Sequence, residues 1–163
     1  MIEYLSFEEL ILNLFNDKID YAIMAIENST AGSIIPNYAL IDEYGVNIVG
    51  EYYLQITHNL IALKGQSIED IKEVQSHPMA LLQCRDFFKD NADIVLIEDK
   101  DTAHVAKKIS ENKIKGLGAI ASDLASKIYG LDIINANIQT IKKNQTRFVI
   151  PVSYTHLTLP TTV

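Results

Sequence analysis

This sequence of 163 residues has a single cysteine, no clustered histidines and no excess of basic residues. One cysteine, Cys84, cannot form an internal disulfide or build a thiolate metal site alone. The four histidines, His58, His77, His104 and His156, show no HxxxH or HxH spacing, so no metal site is predicted. The net charge of -7 argues against nucleic acid as a partner, because binding a phosphate backbone needs a dense cationic surface.

The sequence also shows no sign of a membrane-spanning segment, and we expect no secretory leader. No uninterrupted apolar run approaches the ~20 residues that span a bilayer. The start, Met1 to Glu3, has no basic leader followed by an apolar core. We therefore expect a cytoplasmic protein without a membrane partner. Its 48% hydrophobic and 21% charged residues are typical of one globular domain, and the length also allows two small lobes.

Short apolar runs alternate with amphipathic stretches, a pattern typical of an α/β domain. Helical segments are predicted at Phe7 to Phe15, at a turn from Ser67 to Ile71, and at Pro78 to Lys89, Thr102 to Asn112 and Ser122 to Tyr129. Strands are predicted at Tyr21 to Ile26, twice within Gly45 to Leu63, and at Glu73 to Gln75, Asp93 to Ile97, Leu117 to Ala121, Leu131 to Ile134 and Thr146 to Ile150. Gly130 is the expected C-cap of the last helix.

The last thirteen residues, Pro151 to Val163, contain no Asp, Glu, Lys or Arg. This change in composition predicts a boundary, with the folded domain at 1–150 and a tail at 151–163 that does not belong to the fold. An edge strand at the margin of the domain is the alternative interpretation.

Polar residues directly after a predicted strand form the first candidate cluster. Glu27, Asn28 and Ser29 supply a carboxylate, an amide and a hydroxyl, and Gly32 ends the segment. Loops after strands are where α/β domains place their active sites. The alternative is an ordinary helix N-cap formed by Ser29 or Ser33.

A second cluster begins at Ser76-His77-Pro78 and continues to Gln83 and Cys84. Proline in the first turn of a helix leaves the preceding N–H groups free to meet an anion, which the helix dipole favours. Ser76 could instead be only an N-cap, and His77 a packed or solvent-facing residue. Cys84 lies on the apolar face of the helix, so core packing is the better interpretation.

The third cluster is the polar segment Asn144 to Phe148, which enters the last predicted strand. Arg147 is suited to bidentate capture of a carboxylate. The hydroxyl of Thr146 can donate to a reacting oxygen. An arginine at the start of a strand is otherwise simply solvated.

In this order, the segments resemble the catalytic domain of prephenate dehydratases from about Tyr4 to Ile150. The matching segments are Glu27-Asn28-Ser29 with Gly32, Gly50-Glu51, Ser76-His77-Pro78 with Gln83-Cys84, Tyr129-Gly130-Leu131 and Asn144-Gln145-Thr146-Arg147-Phe148. The resemblance implies a two-lobed α/β fold like that of type II periplasmic binding proteins, with the active site in the cleft between the lobes. It also suggests a homodimer.

The resemblance further implies a lyase that converts prephenate into phenylpyruvate in phenylalanine biosynthesis, without a metal or redox cofactor. Arg147 would hold the pyruvyl carboxylate, and Thr146 would assist departure of the ring hydroxyl. His77 is the alternative proton donor. The other predicted site residues orient substrate or organise the site: Glu27, Asn28, Ser29, Ser76, Gln83 and Phe148.

Two departures from the family pattern leave alternative functions open. The glycine-rich first loop of the family has no counterpart before Tyr4, so we expect the first strand, its loop and the next helix to be missing. The family commonly continues into an ACT regulatory domain, and we expect Pro151 to Val163 to be neither that domain nor its linker. A smaller departure is Met79, where many relatives carry glutamine. An inactive fragment and a small carboxylate-binding or sensor module are therefore the alternative functions.

Overall fold

A computed structural model describes residues 2–153, and the chain divides into two units. Unit 1 consists of Met1–Gln55 with Lys143–Val163, and unit 2 is Ile56–Lys142. The helices are α1 (Phe7–Phe15), α2 (Ile35–Glu43), α3 (Pro78–Gln83), α4 (Arg85–Lys89), α5 (Thr102–Asn112) and α6 (Asp123–Tyr129). The strands are β1 (Met24–Asn28), β2 (Gly32–Ser33), β3 (Asn47–Gln55), β4 (Asn59–Ala62), β5 (Glu73–Ser76), β6 (Val95–Glu98), β7 (Leu117–Ala121), β8 (Asp132–Asn135) and β9 (Gln145–Val152). Within the described residues, no helix is both long and apolar enough to cross a membrane.

Unit 1 is built on a four-stranded antiparallel sheet with the order β2-β1-β9-β3. The helix α1 begins at Ser6, whose side chain accepts a hydrogen bond from the backbone N–H of Glu9. Its apolar stripe buries Ile11 and Leu14. The core of the unit consists of Ile11, Leu14, Ala22, Met24, Ile26, Val46 and Val149. The last strand in the chain, β9, therefore lies inside this sheet, between β1 and β3.

Unit 2 is built on a five-stranded mixed sheet with the order β6-β5-β7-β4-β8. Its central strands are buried on both faces. Leu60 and Ile120 pack into a core that includes residues of α3 and α4, whereas Ile61 and Ala119 pack against α5 and α6. Because both faces are covered, these strands are continuously apolar rather than alternating. Gly118 allows the close packing, since an added Cβ would lie 2.8 Å from Cδ1 of Leu60.

The division into two α/β units agrees with the predicted architecture, and several predicted elements are confirmed. The bounds of α1, α5 and β7 are those predicted, and Gly130 caps α6 with a φ of 62°. Two strands do lie within Gly45 to Leu63, but they belong to different units. The single helix predicted at Pro78 to Lys89 is wrong, because the helix breaks at Cys84 into α3 and α4. The helix α2 was not predicted.

The end of β9 lies beyond the predicted end at Ile150. Pro151 pairs with Ile48, Val152 pairs with Asn47, and both are buried, as is Ser153. A tail outside the fold can therefore begin only after Ser153. The remaining residues of the predicted tail lie outside the described part of the chain, so for them the prediction stays a prediction.

Candidate active site

The strand register of unit 1 brings two of the predicted clusters together. We call this group the unit 1 cluster; its members are Glu27, Asn28, Ser29, Asn144, Thr146 and Arg147. In the pairing of β1 with β9, Asn28 lies opposite Thr146 and Glu27 lies opposite Arg147. Phe148 is half-buried on the same strand, opposite Ala25.

Both ends of the Asn28 side chain are engaged. Its Nδ2 donates to Oδ1 of Asn144 at 2.8 Å and to Oγ1 of Thr146 at 3.0 Å. Its Oδ1 accepts from the backbone N–H groups of Thr30 at 3.0 Å and Ala31 at 2.9 Å. An amide held at both ends has one orientation, so it fixes the position of the Thr146 hydroxyl.

Asn144 and Ser29 support this arrangement from the segment that leads into β9. The side chain of Asn144 is buried, which no local sequence pattern predicts. The hydroxyl of Ser29 accepts from the backbone N–H of Gln145 at 2.9 Å and donates to the carbonyl of Lys143 at 3.2 Å. This geometry favours a structural role for Ser29 over the predicted contact with substrate.

Arg147 is paired with carboxylates on both neighbouring strands. Its Nε donates to Oε2 of Glu51 at 2.9 Å, and its Nη2 lies 2.7 Å from the same oxygen. Its Nη1 is 3.8 Å from Oε2 of Glu27, and its guanidinium lies 5.9 Å from the ring centroid of Tyr53. The hydrogen bond to Glu51 raises the pKa of Arg147 above its ordinary value. Arg147 is therefore always positively charged, and the carboxylates of Glu27 and Glu51 already balance that charge.

Unit 2 carries its own polar cluster, which we call the unit 2 cluster; its members are His58, Gln83 and Gln139. Gln83 ends α3, and its Oε1 lies 2.8 Å from Nε2 of His58. Burial lowers the pKa of His58, and the hydrogen bond to Gln83 partly opposes that shift. Sequence reasoning considered His58 only as a possible metal ligand and missed this contact, since 25 residues separate the partners.

The start of α3 is organised differently from the sequence-based expectation. Ser76 is fully buried, and its hydroxyl donates to the carbonyl of Ile120 at 3.1 Å, which favours a structural role. The N-cap is His77, whose Nδ1 accepts from the backbone N–H of Met79 at 3.2 Å. Cys84 is buried in the core, as predicted, and burial raises the pKa of its thiol to about 12.

A cavity of about 1100 Å³ in unit 1 is formed by residues 2–7, Leu10 and residues 18–23. It contains none of the predicted site residues. We therefore base the candidate site residues of each unit on its own polar cluster rather than on cavity size. Among residues 2–153, no three His, Cys, Asp or Glu side chains are grouped as metal ligands would be.

The family model of prephenate dehydratase matches residues 1–153, which include every residue of both clusters. The chain belongs to the prephenate dehydratase family. It is 37% identical over 145 residues to a bifunctional chorismate mutase/prephenate dehydratase of Buchnera aphidicola subsp. Acyrthosiphon pisum (strain APS), covering 89% of this chain and 38% of the relative. It is 46% identical over 132 residues to arogenate dehydratase/prephenate dehydratase 1, chloroplastic, of Arabidopsis thaliana, covering 81% of this chain and 33% of that protein. The chain thus spans less than half the length of these relatives.

Two solved structures resemble this chain closely. The prephenate dehydratase of Arthrobacter aurescens, in complex with L-Phe, has a TM-score of 0.83 at 24% identity, covering 93% of this chain and 51% of that one. A structure described as GqqA, a quorum quenching acylase, has a TM-score of 0.78 at 30% identity, covering 93% and 55%. These likenesses confirm the periplasmic-binding-protein-like fold class. The cleft implied by the resemblance stays a prediction.

Proposed function

We propose that this domain catalyses the decarboxylative dehydration of prephenate to phenylpyruvate. In this reaction the bond between the ring and its carboxylate breaks, carbon dioxide leaves, and the electron pair moves into the ring. The C–O bond on the opposite side of the ring then breaks, and the hydroxide takes up a proton to leave as water. The ring becomes aromatic, so the step is balanced without an oxidant or reductant.

The hydrogen bond from Asn28 to Thr146 is the observation that carries this proposal. The oxygen of Thr146 accepts from Nδ2 of Asn28 at 3.0 Å, so its own hydrogen is the part available to another acceptor. We assign that acceptor as the departing hydroxyl of the substrate. A donor held in place before the reaction stabilises the negative charge that develops on this oxygen.

The remaining roles follow from the contacts in each unit. Arg147 holds the side-chain carboxylate of the substrate, which replaces Glu51 as its partner, and Phe148 remains a substrate-binding residue. Gln83 directs amide N–H groups to substrate oxygens, and His77 is the alternative proton donor. Glu27, Ser29 and Ser76 organise the fold around these groups.

Arogenate is a second candidate substrate, because the Arabidopsis relative is described as an arogenate dehydratase/prephenate dehydratase. Its ring chemistry is the same, but its side chain carries an ammonium group beside the carboxylate. The unit 1 cluster together with Glu51 offers both charges, since Glu27 and Glu51 lie within 3.8 Å of Arg147. A cytoplasmic location and a homodimer stay predictions from the sequence.

A direct assay tests the proposal. The purified chain is incubated with prephenate or with arogenate at neutral to mildly alkaline pH, and phenylpyruvate or phenylalanine is measured against a control without protein. We expect turnover of prephenate that disappears largely in Thr146→Ala. Binding of prephenate without turnover would instead support the alternative of a carboxylate-binding module.

A further inference from the structure

His58 makes a side-chain contact that the proposed mechanism does not yet use. It lies directly before β4, is half-buried, and its Nε2 is 2.8 Å from Oε1 of Gln83. A glutamine amide has an accepting end and a donating end. Whatever holds one end therefore decides which end is presented to a ligand.

The backbone around this contact is fixed by one short segment, residues 138–140. The backbone N–H of His58 donates to Oε1 of the buried Gln139 at 3.0 Å, and the N–H of Ile138 donates to the carbonyl of His58 at 2.8 Å. The N–H of Thr140 donates to the carbonyl of Gln83 at 2.8 Å. Both partners are thus tied to the same segment, so the pair is a built contact rather than a chance meeting of surface side chains.

The acceptor also determines the position of the imidazole proton. Burial favours the neutral ring, which carries one N–H. With the amide oxygen of Gln83 as the partner, that proton must lie on Nε2. The donating end of the Gln83 amide then points away from His58.

We propose that His58 is a positioning residue that holds the carbonyl oxygen of Gln83 and thereby directs the amide N–H groups of Gln83 toward the substrate. This inference rests on the proposed function, since Gln83 meets substrate only there. In the reaction, correctly aimed N–H groups bind carboxylate or hydroxyl oxygens. A flipped amide would present an oxygen to them and repel them.

Substitutions at both positions separate positioning from packing. We expect His58→Leu to lower kcat/KM roughly 10- to 100-fold, because it releases the Gln83 amide. His58→Gln restores a donor near the position of Nε2, so it should stay within about fivefold of the wild type. In a Gln83→Met background, His58→Leu should change kcat/KM by less than about twofold, because the group it acts through is gone.

The matched control is His104→Gln, at an exposed histidine of α5, which should leave kinetics and melting temperature unchanged. A role of His58 in packing alone predicts different results. Losses that multiply in the double variant, or equal losses in His58→Leu and His58→Gln, would overturn the positioning role. Melting temperatures measured on every variant show whether a loss of activity is caused by a smaller folded fraction.

Nitrogen NMR on the wild-type chain tests the contact without turnover. The His58 ring, assigned by its disappearance in His58→Gln, should be neutral near pH 7.5 with its proton on Nε2. A proton on Nδ1 would mean that the amide is flipped, and would overturn the inference by itself. Absence of turnover with both substrates would overturn the proposed function while leaving this NMR result interpretable.

Discussion

Thr146 and Arg147 are neighbours on β9, but they are held in opposite ways. Thr146 belongs to a network of neutral side chains around Asn28 and the buried Asn144. Arg147 is paired with Glu27 and Glu51, whose side chains are 46% and 47% exposed. Successive strand residues point to opposite faces, so one strand delivers both environments.

The contrast distinguishes Thr146, whose hydroxyl is held in place by neutral hydrogen bonds, from Arg147, whose ion-pair partner can be exchanged. Neutral hydrogen bonds in a partly buried network keep their geometry at any ionic strength. A buried polar group that loses its partner in such a network lowers the stability of the fold. An exposed ion pair contributes little to stability and is screened by salt. We therefore expect Thr146 to be ready before substrate arrives, whereas Arg147 changes partner when a substrate carboxylate displaces Glu51.

The largest expected effect concerns Thr146. Thr146→Ala should lower kcat roughly 100- to 1000-fold with little change in KM, because the contact strengthens as the C–O bond breaks. Thr146→Ser should retain more activity than the alanine variant. Steady-state kinetics with Thr102→Ala on α5 as the control would measure this. Wild-type activity in Thr146→Ala would move the donor role to His77.

Arg147→Lys tests whether Arg147 binds the substrate carboxylate. Lysine cannot reproduce the bidentate fork, so kcat/KM should fall roughly 10- to 1000-fold. The melting temperature should change little, because the lost ion pairs are exposed. Unchanged kinetics would remove Arg147 from the site.

Asn144→Ala should damage the neutral network and lower stability as well as activity. The buried amide accepts from Asn28 at 2.8 Å, so its loss should reduce the free energy of unfolding by ~1–3 kcal/mol. Urea unfolding would be compared with Asn112→Ala, at an exposed helix end. If the two variants are equally stable, the network does not preorganise Thr146.

The smallest expected effect is a gain in apparent affinity for substrate. Glu51→Gln removes the carboxylate that competes with substrate for Arg147, so KM should fall by up to about fivefold at low salt. The gain should vanish at high salt, where the ion pair is already screened. Glu8→Gln on α1 serves as the control. A higher KM in Glu51→Gln would mean that Glu51 aims the guanidinium rather than competing for it.

The sequence predicts the fold best where burial follows a simple period. The uninterrupted apolar run of β7 gave correct bounds, because every residue of that strand is buried. The apolar stripe of α1 also gave correct bounds, although only Ile11 and Leu14 are buried, whereas Phe7 and Phe15 at its ends are exposed. The helix α2 shows no such stripe. Its one buried residue is Asn37, whose Nδ2 donates to the carbonyl of Ala25 at 2.7 Å, whereas Ile35 is exposed.

The candidate site is predictable in its residue types but not in its partners. Local segments identified Asn28, Thr146 and Arg147 as chemistry-bearing residues. The partners Glu51 and His58 depend on pairing between distant parts of the chain. A bulge in β3 between Ile48 and Gly50 shifts the register, and Glu51 lies opposite Val149, from where its side chain reaches Arg147. No local pattern encodes such a shift.

The placement of β9 has a consequence for biosynthesis. Unit 2 is one continuous stretch, whereas the sheet of unit 1 needs β9 between β1 and β3, and β9 is made only after all of unit 2. At about 5–20 residues per second, the ribosome leaves β1 and β3 without their shared partner for several seconds. Vectorial synthesis therefore allows unit 2 to fold first, and the nascent edges of β1 and β3 are the surfaces for a chaperone to shield until β9 emerges.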